Sequence, residues 1–186
     1  MEKPKKNRRM SKENRRAHII DAAMKLFIVN GYNATTTASI AKEADISEVT
    51  LFRHFASKEE LFMEGLEPIL TLSLDNFIIK SNRLEAIDKL KYILKDRIQF
   101  VSNNHAILKL ILTESQINPE VIGFDYVNNT VVLLEESIEE AGVQLKNKEI
   151  SLRLLMGSIL SFLYFPETDK KKIEEYIDNL VLTIKN

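Results

Sequence analysis

The sequence contains no cysteine, and it has only five glycines and four prolines in 186 residues. The absence of cysteine excludes disulfide bonds, thiolate metal sites and cysteine nucleophiles. Because glycine and proline interrupt regular structure, their scarcity favours long helices over a sheet of many short strands. No apolar run reaches membrane-spanning length, and the basic N-terminus does not lead into the apolar core of a signal peptide. We therefore expect a cytoplasmic protein with no membrane partner.

Signatures of catalysis and metal binding are also missing. The three histidines are dispersed, which argues against a structural metal site in a chain without cysteine. There is no glycine-rich phosphate loop, and the serine, histidine and acidic residues form no recognisable nucleophile motif. We predict no enzyme activity, no catalytic residue, no metal and no cofactor.

The net charge of −1 hides an asymmetry along the chain. Residues 1–60 hold 12 basic and 8 acidic side chains, whereas residues 61–186 hold 14 and 19. Eight of the basic residues fall within the first 16 positions. A basic end on an acidic body indicates that a polyanion contacts one end only, and we expect Arg15 and Arg16 to reach DNA phosphate or the minor groove.

Apolar residues recur with helical spacing throughout, so the predicted fold class is all-α. A flexible basic arm over 1–12 is expected to precede a DNA-binding domain over 13–57 and a second domain over 58–186. Ser57 and Glu60 form a capping box that begins the fourth helix. Beyond it, helices are predicted near 84–102, 105–116, 119–141, 147–165 and 168–185.

Two short helices follow the first long helix and are separated by a break at Asp45 and Ile46. This order predicts a helix-turn-helix, whose later helix lies in the DNA major groove, with Ile46, Leu51 and Phe55 as its buried anchors. Caps and solvated surface are the alternative reading of the polar side chains on this motif. The candidate DNA contacts at the helix N-termini and on the outer surface are Thr36, Thr37, Ser47, Glu48, Thr50, Phe52, Arg53 and His54.

The stretch from Arg16 to Leu61 strongly resembles the TetR family of transcriptional regulators. The residues that carry the resemblance are Ala22-Ala23, Leu26-Phe27, Gly31-Tyr32, Ala34-Thr35-Thr36-Thr37, Ile40-Ala41, Ala44, Ile46-Ser47, Thr50-Leu51-Phe52, His54-Phe55, Ser57-Lys58-Glu59 and Leu61. The resemblance implies a dimeric repressor that binds a palindrome in double-stranded operator DNA and leaves it when a small-molecule effector binds the C-terminal domain. A sensor or protein-interaction module whose helix-turn-helix does not bind DNA is the alternative.

The resemblance also implies roles for individual residues. Thr37, Ser47 and Lys58 are expected to contact phosphate, Val49 and Thr50 to approach bases or backbone, and Phe52 and His54 to lie against the backbone. The family usually has glycine or alanine at the position of Val49, and tyrosine at that of Phe52. Glu48 is open to three readings: it accepts from a cytosine N4 amine, it repels phosphate, or it faces solvent.

Two surfaces are predicted in the C-terminal domain. In the family the last two helices pack against the same helices of the second subunit. Stripes of small or apolar residues on the last two predicted helices of this chain suit that role, but they would also suit helices that only close the core. The predicted dimer residues are Leu154, Gly157, Ser158, Ser161, Ile173, Tyr176, Ile177, Leu180 and Ile184. The predicted ligand-pocket residues are Tyr92, Phe100, His105, Glu114, Tyr126, Met156 and Phe162.

Overall fold

A computed structural model describes residues 11–71, 84–123 and 125–185, and within these ranges it contains helices and turns but no strand. The all-α prediction is confirmed. Residues 1–10, most of the predicted basic arm, lie outside the described residues. The helices are α1 (Lys12–Asn30), α2 (Thr37–Glu43), α3 (Glu48–Phe52), α4 (Lys58–Leu70), α5 (Ala86–Asn103), α6 (His105–Ile117), α7 (Pro119–Ile122), α8 (Tyr126–Glu140), α9 (Lys148–Ser161) and α10 (Lys170–Lys185).

Several predicted boundaries need correction. Ser11 caps α1 by accepting a hydrogen bond from the Asn14 amide at 3.2 Å, so the helix begins inside the predicted arm. The single helix predicted over 119–141 is divided into α7 and α8, because Gly123 ends α7 in the left-handed conformation with φ of 73°. The chain divides into two compact units, 1–70 and 71–186. This division lies after α4, and the predicted domain boundary between residues 57 and 58 stays a prediction.

The first unit is built around α1, which packs against α2 and α4. Ile19 and Phe27 on α1 and Leu61 and Phe62 on α4 are completely buried. The Phe27 and Phe62 rings meet edge-on with centroids 4.9 Å apart. Such pairs add to the gain from apolar burial, and this core gives the shorter helices a rigid support.

The turn between α2 and α3 is a Schellman motif. The Ile46 amide donates to the Ala41 carbonyl at 2.9 Å, and the Asp45 amide donates to the Lys42 carbonyl at 3.2 Å. Asp45 has φ of 51°, in the left-handed region that glycine usually occupies in this motif. Aspartate is one of the few other residues that tolerate this conformation. The turn can therefore be as tight as a glycine turn.

The second unit is organised around α5, which contacts α6, α8, α9 and α10. Its core includes Leu94 and Ile98 of α5, Ile111 of α6 and Leu155 of α9, all completely buried. No described helix is long and apolar enough to span a membrane.

Candidate nucleic-acid interface

Helix α3 is a single short segment held from both ends. The Ser47 hydroxyl caps it by accepting from the Thr50 amide at 3.2 Å, and the Ser47 and Thr50 hydroxyl oxygens lie 2.9 Å apart. Leu51 and Phe55 are buried at 0% and 1% exposure, so they anchor the segment as predicted, while Ile46 is half-buried. The opposite side of α3 is consequently presented to solvent.

That outer side carries large apolar groups. Val49 is 72% exposed and Phe52 is 50% exposed, one turn apart on the helix. Glu48 and Arg53 are exposed beside them, and Thr50 is half-buried. Exposed apolar side chains on a short, rigidly held helix suit a surface that is covered when a partner binds.

The N-termini of α2 and α3 are joined by their side chains. Thr36 caps α2 in a reciprocal capping box with Ser39, with both amide-to-hydroxyl distances at 3.1 Å. The Thr37 hydroxyl donates to Oε1 of Glu48 at 2.7 Å. A hydroxyl has one hydrogen to donate, so a phosphate contact through the Thr37 hydroxyl would have to replace this bond.

Arg16, a predicted DNA contact, makes hydrogen bonds within the first unit. Its guanidinium donates to Glu64 (Nε to Oε1, 2.7 Å), to Glu60 at 3.2 Å and to the backbone carbonyl of His54. It also lies 4.1 Å from the centroid of the Phe55 ring. These hydrogen bonds to Glu64 and Glu60 keep the pKa of Arg16 above its usual value. We therefore reassign Arg16 to a structural role, because its donors already link α1 to α4 and to the end of α3.

Lys58 is also engaged within the unit. Its ammonium donates to the Tyr32 carbonyl at 2.9 Å and the Thr35 carbonyl at 3.1 Å, and it lies 4.1 Å from the Tyr32 ring centroid. These contacts fasten the start of α4 to the segment between α1 and α2. Phosphate contact by Lys58 stays a prediction, and an alanine substitution there would also disturb the fold.

His54 lies in a cationic environment at the end of α3. Burial lowers the pKa of its imidazole, and the nearby cations Lys12, Arg16, Arg53 and Arg15 lower it further. The ring is half-buried, and its Nδ1 atom is enclosed with no hydrogen-bond partner among the described residues. A lowered pKa favours the neutral form of the imidazole.

Lys12 is a cation that the sequence prediction left in the flexible arm. In the structure it opens α1, and the spacing of positions 12, 15 and 16 puts Lys12 and Arg15 on the face that carries Arg16. That i, i+3, i+4 spacing is a signal that sequence reasoning had available. Three or more histidine, aspartate or glutamate side chains do not converge into a possible metal site anywhere in the described ranges.

The predicted pocket residues are distributed over several helices of the second unit. Tyr92 lines a surface groove between α5 and α10, whereas Glu114, Met156 and Phe162 are buried. Oε2 of Glu114 accepts a hydrogen bond from the side-chain amide of Asn118. Burial raises the pKa of the Tyr126 hydroxyl. Nδ1 of His105 lies 2.9 Å from the Ser102 carbonyl oxygen. Phe100 is half-buried below the Arg97 guanidinium. A pocket that joins all of them stays a prediction.

The predicted dimer stripe on α10 is partly covered by the chain itself. Ile173, Ile177 and Ile184 are buried, on the helix that packs against α5. Their apolar spacing serves the core of the second unit, so these three side chains are not exposed to a second copy. The other predicted residues stay on the surface: Leu154, Gly157 and Tyr176 are exposed, and Ser158, Ser161 and Leu180 are half-buried.

Residues 19–64 match the sequence profile described as bacterial regulatory proteins, tetR family. This range contains the buried face of α1, the whole helix-turn-helix and the first half of α4. This segment of the chain is therefore similar to the DNA-binding domain of the TetR family. Proteins of that family are transcriptional regulators and not enzymes, and the similarity supports a DNA-binding transcription regulator.

Individual members of the family show how the likeness is distributed. The HTH-type transcriptional regulator YvkB of Bacillus subtilis is 26% identical over 158 residues, which cover 78% of this chain and 82% of YvkB. QacR of Staphylococcus aureus is 49% identical, but over 53 residues that cover 28% of each chain. The structure of the ketosteroid transcriptional regulator KstR2 of Mycobacterium tuberculosis superposes with a TM-score of 0.75 at 19% identity, covering 91% and 94% of the two chains. At that identity the structural likeness shows the fold alone.

The role of Arg16 gives the first testable prediction. Arg16→Met keeps an apolar stem of similar length but removes all donors, and we expect it to lower the free energy of unfolding by about 1–2 kcal/mol, since the pair with Glu64 is partly solvent-screened. Urea unfolding followed by circular dichroism measures the change. Arg15→Met is the matched control, because Arg15 has no ion pair among the described residues. Equal stability of the two variants would contradict the assignment.

Proposed function

We propose that this regulator is a repressor, which binds a palindromic operator in double-stranded DNA as a homodimer and is released by a small-molecule effector bound to the second unit. It acts in the cytoplasm, where bacterial operator DNA lies. The observation that carries the proposal is the exposed face of α3. Val49 and Phe52 are left uncovered there at 72% and 50% exposure, and Arg53 beside them is exposed and has no ion-pair partner among the described residues. These features suit insertion into a major groove between two phosphate backbones.

The cations around α3 differ in whether an acidic side chain pairs with them. Arg16 is neutralised by Glu60 and Glu64. Lys12, Arg15 and Arg53 make no ion pair within the described ranges, yet all three are close enough to His54 to lower its pKa. Three uncompensated positive charges grouped at one edge of α3 support contact with a DNA backbone.

The proposed DNA contacts follow from these positions. Thr36, Thr37 and Ser47 would contact phosphate at the helix N-termini, and His54 would contact it at the end of α3. The residues proposed to contact DNA are Lys12, Arg15, Thr36, Thr37, Ser47, Glu48, Val49, Thr50, Phe52, Arg53, His54 and Lys58.

Salt dependence tests the backbone contacts. Arg53→Gln should weaken binding to a mixed-sequence duplex and reduce the slope of log affinity against log salt by about 0.9, because one phosphate contact is lost. Fluorescence anisotropy between about 50 and 200 mM KCl measures the slope. Lys170→Gln, an exposed lysine on the second unit, should leave it unchanged. Wild-type protein that binds no DNA at any salt would overturn the DNA-binding proposal and favour the sensor or interaction module.

The surface proposed for dimerisation is one face of α9. Leu154, Gly157, Ser158 and Ser161 follow an i, i+3, i+4, i+7 spacing, and Ile150, one turn earlier, is 56% exposed. Tyr176 at 37% exposure and half-buried Leu180 are on the neighbouring helix α10. An apolar strip with small residues at its centre permits the close approach of an identical helix from a second copy.

Gly157 offers a clean test of the dimer. A Cβ added there meets no atom within 4 Å, so Gly157→Leu should fold normally within the protomer. We expect it to separate the dimer and weaken operator binding strongly, because the leucine side chain would occupy the space of the mate's helix. Analytical ultracentrifugation gives the oligomeric state and circular dichroism checks the fold. An intact Gly157→Leu dimer would show that this face is not the interface.

The proposed effector site lies in the second unit. Glu114 is only 4% exposed, and a buried carboxylate needs a hydrogen-bond donor, which the side-chain amide of Asn118 supplies. Burial also raises the pKa of the Tyr126 hydroxyl, whereas the positive charge of Arg97 lowers it. Apolar walls with a few enclosed polar groups are typical of small-molecule sites.

A ligand panel tests the effector. Among organic cations, fatty acyl compounds and neutral aromatic compounds, at least one should raise the melting temperature of the full chain, since ligands that bind only the folded state stabilise it. The same compound should weaken DNA binding in the anisotropy assay. Compounds that raise the melting temperature without any effect on DNA binding would contradict release by an effector.

A further inference from the structure

Glu48 is the residue of the proposed DNA-reading surface whose charge opposes DNA. It is the first residue of α3, and its side chain is exposed. A carboxylate repels phosphate, so it adds nothing to backbone contact. The N-terminal residues of a recognition helix face the edges of bases, where a carboxylate can accept a hydrogen bond.

The structure shows that this carboxylate is held in place. Oε1 of Glu48 accepts from the Thr37 hydroxyl at 2.7 Å, across the gap between α2 and α3. Oε2 has no hydrogen-bond or ion-pair partner within the described residues. One oxygen therefore orients the group while the other keeps its acceptor capacity for a ligand.

The hydrogen-bonding groups on the edges of the bases limit which base the Glu48 carboxylate can contact. In the major groove only cytosine N4 and adenine N6 offer hydrogens, whereas guanine and thymine present acceptors. Adenine places the N7 lone pair beside its amino group, so a carboxylate that approaches N6 is repelled by N7. Cytosine has no acceptor next to N4 in this groove. A fixed acceptor-only side chain thus favours cytosine.

We propose that Glu48, positioned by Thr37, accepts a hydrogen bond from the N4 amino group of a cytosine in each operator half-site. Glu48 is then the specificity-determining residue and Thr37 the positioning residue. This inference rests on the proposed DNA-binding function, and it adds a base identity that the backbone contacts do not supply.

Selection from a random duplex library tests the inference on the full chain. Wild-type protein should select a fixed cytosine in each half-site, and replacing that C·G pair by T·A should weaken binding by about 5- to 150-fold. Glu48→Gln should move the preference to adenine, because an amide can pair with both N6 and N7. Glu48→Ala should lose the preference altogether.

Thr37 variants test the positioning. Thr37→Val keeps the side-chain volume but removes the donor, so the penalty for replacing the cytosine should shrink several-fold. Thr37→Ser restores the hydroxyl and should restore the penalty. Full discrimination in Thr37→Val would overturn the positioning role, since a side chain that merely fills space would not need its hydroxyl.

The outcomes separate this inference from the function on which it rests. If the wild-type protein enriches no sequence and binds no DNA at low salt, the proposed function itself fails. If it enriches a defined site and both Glu48 variants enrich the same one, DNA binding stands and the cytosine contact is overturned. Tighter binding of both variants to all sequences alike would show that Glu48 only repels phosphate, which also overturns it.

Discussion

The helix that presents the candidate DNA-binding surface has only five residues, Glu48–Phe52, and a helix that short does not persist on its own. Its position is therefore set by what surrounds it. Leu51 and Phe55 hold one side in the core, Ser47 caps the start, and Arg16 bonds to the carbonyl at the end. Because these contacts occupy the inner side, the outer side is left with exposed Glu48, Val49 and Phe52.

Because α3 depends on contacts from its surroundings, the cations of the first unit fall into two groups. Arg16 and Lys58 bond to carboxylates and carbonyls of neighbouring elements, and so hold α1, α3 and α4 together. Lys12, Arg15 and Arg53 have no such bonds among the described residues. A positively charged surface can thus coexist with a well-bonded unit, because the structural cations bond to carboxylates or carbonyls of their own unit and the other three do not.

The second unit obeys a different constraint. Its core is closed by isoleucines of α10 packed against α5, while the face of α9 that carries Leu154 and Gly157 is exposed. Two faces with similar apolar patterns therefore differ in burial. The fold is retained at low sequence identity, as the superposition with KstR2 shows.

Sequence alone determined the all-α class, the helix-turn-helix and its anchors Leu51 and Phe55, because helical periodicity and capping residues are local properties. It could not separate Arg16 from Arg15, since only packing brings Glu60 and Glu64 of α4 beside one arginine and not the other. Nor could it distinguish buried Ile177 from exposed Gly157, because an apolar stripe is the same pattern whether the chain's own core or a second copy covers it. The bond from Thr37 to Glu48 was likewise decided by tertiary structure, as the tight turn at Asp45 places side chains eleven positions apart within hydrogen-bonding distance.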